Sequence, residues 1–156
     1  MLPLFGQERA LIDSNGRVKL CPRFVTDFEK SGNGEVVLFS LPERGIAIYP
    51  EETFLRMRRF ELDEAEKSFK SIISRRELRF FGSMTYSEKI SNQGRITIPH
   101  FMRDACGILP NSEVVLIGIQ LGIEIWSCDN WSLELEKIRK HSDEKADREM
   151  ASDLIL

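Results

Sequence analysis

The chain has 156 residues, of which 42% are hydrophobic and 30% charged, and its formal net charge at pH 7 is -3. This length and composition allow one core or two small coupled ones, which excludes a chain disordered throughout and the collagen-like class. The apolar runs are far shorter than the ~20 residues that span a bilayer, and the acidic charge argues against a protein that coats nucleic acid indiscriminately.

The first predicted elements are a β-hairpin and a short helix. Residues 5–12 run extended into the turn Asn15-Gly16, a pair that is typical of hairpin turns because both residues tolerate positive φ. Hydrophobic and polar residues alternate over 17–20, which predicts the second strand. Pro22 ends that strand and favours the start of a short helix.

Two more strands and a helical segment are predicted next. Val36–Ser40 and Ile46–Tyr49 are too short and too β-branched for helices. Hydrophobic residues then recur at near-helical spacing up to residue 80, and Asp63 stands three residues before Glu66. This pair predicts a capped helix start at Asp63.

The second half of the chain repeats the first. Gly94-Arg95 matches Gly16-Arg17 at an offset of 78 residues, and the residues EVVL occur at both 35–38 and 113–116. The blocks GIAIYPEETF at 45–54 and GIEIWSCDNW at 122–131 match at an offset of 77. We also align, at the same offset of 77 and with Cys21 as one inserted residue, Pro22 with Pro99, Phe24 with Phe101 and Asp27 with Asp104.

These ordered matches indicate a duplicated unit of about 48 residues. The second copy is predicted to have strands at 84–90, at 96–98, at Val114–Ile119 and at Ile123–Trp126. The predicted segments are a first repeat at 5–54, a helical linker at 55–83, a second repeat at 84–131, and a C-terminal helix with a loose tail at 132–156. Because each four-stranded copy is too small to bury its own hydrophobic face, we expect the copies to pair around a pseudo-twofold axis. The predicted fold class is mainly β with short helices (α+β).

The cysteines carry no sign of a disulfide framework or a zinc site. Cys21, Cys106 and Cys128 are odd in number and widely spaced, with no CxxC pair. We expect a reducing compartment, no metal and no cofactor.

The duplicated pattern resembles a known family. The pattern D-x-x-G-R-[VI]-x-[LI]-P, the GIxI block and the stretch RRELRFFGSM at 75–84 are similar to those of the MraZ family, and the likeness covers roughly residues 5–140. This resemblance implies a bacterial transcriptional regulator with two AbrB-like swapped-hairpin domains in one barrel. It further implies a cytoplasmic, nucleoid-associated repressor of the division and cell-wall gene cluster. Its implied partners are double-stranded DNA with short direct repeats and further copies of itself in a ring.

The DNA-binding motif of the family, D-x-x-x-R, falls on Asp13 and Arg17. In the second copy Arg95 matches, but Ser91 stands in place of the acid. We expect both arginines to project from hairpin ends, where a guanidinium can hold guanine O6 and N7, or a phosphate, with two hydrogen bonds. Asp13 can hold Arg17 in one rotamer, whereas Ser91 offers a neutral hydrogen bond. The predicted DNA-contact set is Asp13, Asn15, Gly16, Arg17, Lys19, Ser91, Asn92, Arg95 and Thr97.

Two alternative interpretations stay open for this motif. Asp13 and Arg17 can close a turn as a surface ion pair without any contact to DNA. A swapped-hairpin fold can also serve as a protein–protein scaffold or an antitoxin-like module.

Other side-chain groups predict no site. His100 and Asp104 would share a helix face from which Cys106 points away, so we predict neither a catalytic triad, nor an enzyme, nor a small-molecule substrate. The arginines at 75–79 are interpreted as a solvated or inter-subunit salt-bridged face. The matched aromatic residues are interpreted as core or subunit-interface residues; they are Tyr49, Phe54, Trp126 and Trp131.

Overall fold

The computed structural model of the chain describes residues 3–155, except for the side chains of 60–62, 65, 68 and 151–155. Its strands are β1 (Phe5–Ile12), β2 (Arg17–Lys19), β3 (Glu35–Ser40), β4 (Ile46–Pro50), β5 (Thr85–Lys89), β6 (Arg95–Thr97), β7 (Ser112–Ile119) and β8 (Ile123–Ser127). Its helices are α1 (Pro22–Gly32), α2 (Glu51–Ser68), α3 (Ile72–Ser83), α4 (His100–Ala105) and α5 (Cys128–Ile155). The predicted strands are therefore confirmed, with bounds that shift by one or two residues.

Every strand pairing that joins the two copies is part of one continuous sheet. All eight strands are antiparallel neighbours in one sheet of order β5-β3-β4-β8-β7-β1-β2-β6. β1 pairs with β7, β3 with β5, β2 with β6 and β4 with β8. Exchanging the two copies maps this set of pairings onto itself, as the predicted pseudo-twofold axis requires. The sheet curls into a nearly closed barrel, so the predicted fold class is confirmed.

The interior of the barrel is one shared hydrophobic core. Ile12, Val18 and Phe24 come from the first copy and Ile96 and Leu116 from the second, and all are at most 1% exposed. Full burial of one such side chain favours folding by ~1.5–3 kcal/mol. Because the two copies exchange strands, each one buries the hydrophobic face that it could not cover alone.

The internal alignment of the two copies needs a correction after the second strand. The cap of α1 is Cys21 and the cap of α4 is Pro99, which are 78 residues apart. The 78-residue offset of the turns therefore continues into the helices, and Cys21 is not an inserted residue. The alignment of Pro22 with Pro99 is wrong because proline is accepted both as the residue before a helix and as its first residue.

Buried residues of the two helices agree with the corrected alignment. Phe24 and Phe28 on α1 correspond to Met102 on α4 and to Cys106 directly after it, and all four are at most 1% exposed. The matches of Phe24 with Phe101 and of Asp27 with Asp104 are therefore wrong as well. The first copy is one residue longer than the second in the turn after the third strand of each copy. This turn connects β3 to β4 between Ser40 and Ile46, and β7 to β8 between Gly118 and Ile123.

The segment between the copies consists of two helices and does not begin at Asp63. Helix α2 begins at Glu51, directly after the last strand of the first copy, and Asp63 and Glu66 lie inside it. The carboxylates of Glu51 and Glu52 lie in the first turn, where the helix dipole favours negative charge. Ser71 caps the start of α3, since its Oγ accepts a hydrogen bond from the Ser74 N–H at 3.3 Å.

Helices α2 and α5 cover the outer side of the barrel at matched places. Phe54 on α2 stacks on Tyr49 with ring centroids 6.4 Å apart, and Trp131 on α5 packs on Trp126 at 5.9 Å. Helix α5 then continues to Ile155, so it includes the C-terminal residues for which the sequence predicts a loose tail. Among the described residues, no helix combines the length and the apolar character needed to cross a membrane.

Candidate nucleic-acid interface

The two copies form the same hairpin turn. In the first copy the Asp13 N–H donates to the Arg17 carbonyl at 3.0 Å, and in the second the Ser91 N–H donates to the Arg95 carbonyl at 2.8 Å. The glycine before each arginine has positive φ, +82° at Gly16 and +75° at position 94. A glycine accepts this conformation without steric cost, which explains why each arginine follows one.

Strands β2 and β6 bring the two turns together in one antiparallel ribbon. Val18 and Ile96 form its buried central pair, which lies on the pseudo-twofold axis. The residues on either side are exposed, with Arg17 opposite Thr97 and Lys19 opposite Arg95. Alternate residues of a strand share a face, so these side chains form one outer surface. We call Arg17, Lys19, Arg95 and Thr97 the basic ribbon.

Asp13 holds Arg17 at two points. Its Oδ1 accepts hydrogen bonds from the backbone N–H groups of Arg17 and Asn15, both at 2.9 Å, and its Oδ2 accepts from Arg17 Nε at 2.8 Å. The backbone N–H of Arg17, followed by its guanidinium and the N–H of Asn15, lowers the pKa of the Asp13 carboxyl, which therefore stays ionised at neutral pH. The contact uses Nε, which leaves the two Nη groups of this exposed side chain for a further partner.

Ser91 holds the backbone of the second turn but offers no charged partner to the Arg95 side chain. Its Oγ accepts a hydrogen bond from the Arg95 backbone N–H at 3.1 Å, so the turn is held as in the first copy. Within the described part of the chain, neither Arg95 nor Lys19 has an ion-pair partner within 4.0 Å. The two cations are directly opposite each other across the strands, where like charges destabilise the pair.

The remaining predicted site residues lie around the turns. Asn15 and Asn92 are exposed at the tips, while Gly16 is buried beneath its turn. Gln93, which the sequence analysis missed, occupies the position in the second turn that Asn15 has in the first. The 78-residue offset, applied to each turn residue in sequence, would have identified it.

A further exposed cation, Lys89, also escaped prediction. It lies at the end of β5 opposite Glu35, which is exposed, whereas the neighbouring Val36 is buried in the core. Lys89 is therefore on the outer side of the barrel, in a cross-strand pair with the acidic Glu35. Lys89 precedes Ser91 by two residues, and alternate residues of a strand share a face. The alternation of the sequence could therefore have predicted that Lys89 is exposed.

His100, Asp104 and Cys106 do not form a cluster, and Arg75 binds backbone carbonyls. Cys106 is buried with its Sγ 3.3 Å from Ser40 Oγ, whereas His100 and Asp104 are exposed. Arg75 donates through Nη1 to the carbonyls of residues 69 and 70 at 3.1 and 2.7 Å, and thereby closes the end of α2.

Comparisons with known proteins find related sequences over most of the chain. The sequence model of the MraZ protein family, described as antitoxin-like, matches residues 82–153. A protein of Desulforapulum autotrophicum is 31% identical over 145 residues, which cover 93% of this chain and 94% of the relative. Proteins of Caldicellulosiruptor bescii and Bifidobacterium longum are each 30% identical, over 85% and 90% of this chain and 86% and 88% of their own lengths. All three are named Transcriptional regulator MraZ. The chain therefore belongs to the MraZ family of transcriptional regulators.

Proposed function

We propose that this protein regulates transcription by binding double-stranded DNA sequence-specifically through the basic ribbon. The observation that carries the proposal is the concentration of Arg17, Lys19 and Arg95 on one exposed face of a chain with a net charge of -3. Association with DNA depends on such a local patch and not on the total charge.

The shape of the basic ribbon supports binding in the major groove. That groove is about 12 Å wide and accepts a two-stranded β-ribbon. The outward side chains of a ribbon lying there point to the base edges, and its turns lie close to the phosphates. The Nη groups of Arg17 can then donate to O6 and N7 of a guanine.

The family resemblance supports the finer parts of the proposal. The protein would be a cytoplasmic, nucleoid-associated repressor of the division and cell-wall gene cluster. It would bind short direct repeats upstream of its operon as a ring of several copies. A ring presents many basic ribbons at high local concentration, so that weak single contacts add up to tight binding when the DNA repeats match their spacing.

Exposed apolar side chains on the linker helices support self-association. Ile73 and Phe80 lie seven residues apart on α3 and so share one face of that helix, and they are 69% and 46% exposed. Phe69, directly after α2, is 57% exposed. Leu55 on α2 is 54% exposed. Clustered exposed apolar residues are typical of protein–protein contacts, so we propose the linker helices, with Ile73 and Phe80 on one face of α3, as a contact between copies.

Ile73→Glu is expected to reduce the assembly to smaller species, because it places a charge in that contact. Leu109→Glu is the matched control, since Leu109 is also 69% exposed but lies before β7, away from the linker helices. Light scattering coupled to size-exclusion chromatography measures the mass of both variants, and circular dichroism checks their folding. An unchanged mass of folded Ile73→Glu would contradict this contact.

The DNA-binding proposal itself is tested by selecting bound fragments from random duplex DNA. We expect the wild-type protein to enrich short repeated sequences, and the triple variant Arg17→Ala/Lys19→Ala/Arg95→Ala to retain none of them. The control Lys137→Ala/Arg139→Ala/Lys140→Ala removes the same charge from exposed positions of α5 and should still enrich them. If the wild-type protein retains no DNA even at low salt, the scaffold alternative is favoured.

A further inference from the structure

We infer that the two ends of the basic ribbon have different tasks: the Asp13–Arg17 end contacts a base edge, and the Lys19–Arg95 end contacts the phosphate backbone. Each chain then binds its DNA site in one orientation. The inference depends on the proposed DNA binding and adds to it which residue determines sequence preference and which ones provide electrostatic affinity.

The register of β2 and β6 produces the difference between the ends. The pseudo-twofold axis relates Arg17 to Arg95 and Lys19 to Thr97, at an offset of 78 residues. Because the strands are antiparallel, Lys19 lies at the second turn next to Arg95, and Thr97 lies at the first turn next to Arg17. The ribbon strands therefore place two exposed cations at the second end and one, Arg17, at the first, where the half-buried Arg103 of α4 is engaged through Nε by the Ile98 carbonyl at 3.0 Å.

At the first end the charge of Arg17 is both held and balanced. Asp13 contacts Arg17 at its backbone N–H and at Nε, 2.9 and 2.8 Å away. A side chain that is held before binding loses less conformational entropy on binding. The ionised carboxylate also repels a phosphate, so this pair favours the uncharged acceptors of a guanine. Arg17 is thus the base-contacting residue, and Asp13 is a positioning residue.

At the second end the positive charge is not balanced. Ser91 holds the turn through the Arg95 N–H at 3.1 Å but brings no charge. Lys19 and Arg95 are direct cross-strand neighbours, whose Cβ atoms lie ~4.5–5.5 Å apart in such a pair. A phosphate placed between them relieves their repulsion and accepts hydrogen bonds from both.

Because the two ends of the basic ribbon differ, the two possible orientations of the chain on a DNA site are not equivalent. Two identical base-contacting ends would let a chain bind a site equally well in either direction. With one base-contacting end and one phosphate-contacting end, rotation about the pseudo-twofold axis places the wrong side chains on the base edges. The chain then distinguishes the two orientations of a site.

Salt dependence distinguishes the two kinds of contact. The probes are a duplex selected by the wild-type protein and a shuffled duplex of the same composition, each titrated over a range of salt concentrations by fluorescence anisotropy. Each phosphate contact contributes about -0.9 to the slope of log K against log salt. For both Lys19→Ala and Arg95→Ala we expect a slope that is about 0.9 less steep and an equal loss of affinity for the two duplexes.

Asp13→Ser makes the first turn like the second one. Serine holds the turn at position 91, so the fold is preserved, but the contact to the guanidinium is lost. We expect the affinity ratio between the selected and the shuffled duplex to fall by roughly tenfold, with no loss of slope. A merely structural role of Asp13 would weaken binding to both duplexes alike.

Ser91→Asp is the complementary variant, because it gives Arg95 the acid that it lacks. We expect weaker binding to the shuffled duplex and a slope about 0.9 less steep. Thermal unfolding confirms that each variant is folded. The division between the ends is refuted if Arg95→Ala and Asp13→Ser change slope and discrimination alike, although DNA binding itself would then stand. If the wild-type protein binds neither duplex at low salt, both proposals fail.

Discussion

Arg17→Ala is expected to abolish sequence-specific DNA binding and to leave the fold intact. The side chain is 45% exposed and forms its ion pair with Asp13 at the surface, so its removal leaves no cavity. One bidentate contact to a guanine discriminates against a wrong base by ~1–3 kcal/mol. When an assembly contacts several repeats, this loss multiplies, and we expect the affinity for a selected duplex to fall by at least about 100-fold.

Arg95→Ala is the internal comparison for that result. The two arginines are related by the pseudo-twofold axis, but only Arg17 has an acidic partner within 4.0 Å among the described residues. We therefore expect a smaller loss of affinity for Arg95→Ala, seen in gel shifts with both folded variants. Arg17→Lys should keep binding to unrelated DNA and lose preference for the selected sequence, because lysine cannot form the bidentate contact. Equal losses for Arg17→Ala and Arg95→Ala, or a larger loss for Arg95→Ala, would contradict the ranking.

The strands and turns were predictable because their signals are local and occur twice. Asn15-Gly16 and the glycine before Arg95 specify tight turns, and alternation specifies the strands on either side. The exchange of strands between copies is a long-range property. It followed from the argument that neither copy buries its own hydrophobic face, together with the family resemblance.

The errors arose where one local pattern is compatible with two structures. Proline stands before α4 at Pro99 and inside α1 at Pro22, so aligning the two prolines shifted the helices by one residue. A spacing such as that of Asp63 and Glu66 begins some helices and also occurs inside others, and here it lies inside α2. The preceding strand end, at Pro50, sets the actual start.

The repulsion between Lys19 and Arg95 was not predictable from sequence. Each residue alone reads as an exposed cation on a strand, and the two are 76 positions apart along the chain. Only the register of β2 against β6 places them opposite each other. The distinction between the two ends of the basic ribbon therefore depends on a pairing between the copies, whereas the Asp13–Arg17 contact depends on one turn.

Gly16→Ala is expected to be strongly destabilising. A non-glycine residue in the left-handed region, where Gly16 lies, costs ~1–2 kcal/mol. An added Cβ would also lie 2.6 Å from the Ile98 carbonyl oxygen and 2.7 Å from Arg103 Nε. These two atoms form one hydrogen bond, from Arg103 Nε to the Ile98 carbonyl at 3.0 Å, and the N–H of the same Ile98 donates to the Gly16 carbonyl at 2.8 Å. We expect a total loss of about 2–4 kcal/mol in the free energy of unfolding.

Gly94→Ala separates the conformational cost from the steric one. Its φ is +75°, close to the +82° of Gly16, but the nearest atom to an added Cβ is Val25 Cγ2 at 3.1 Å, which can move. We expect this variant to lose only ~1–2 kcal/mol. Urea unfolding measures both losses, and thermal unfolding should show a fall of about 2–4 °C for each kcal/mol. If both substitutions cost the same, the close approach of the Ile98 backbone to the first turn is not a feature of the folded protein. The two turns would then be mechanically equivalent, and any difference between Arg17 and Arg95 would arise from Asp13 alone.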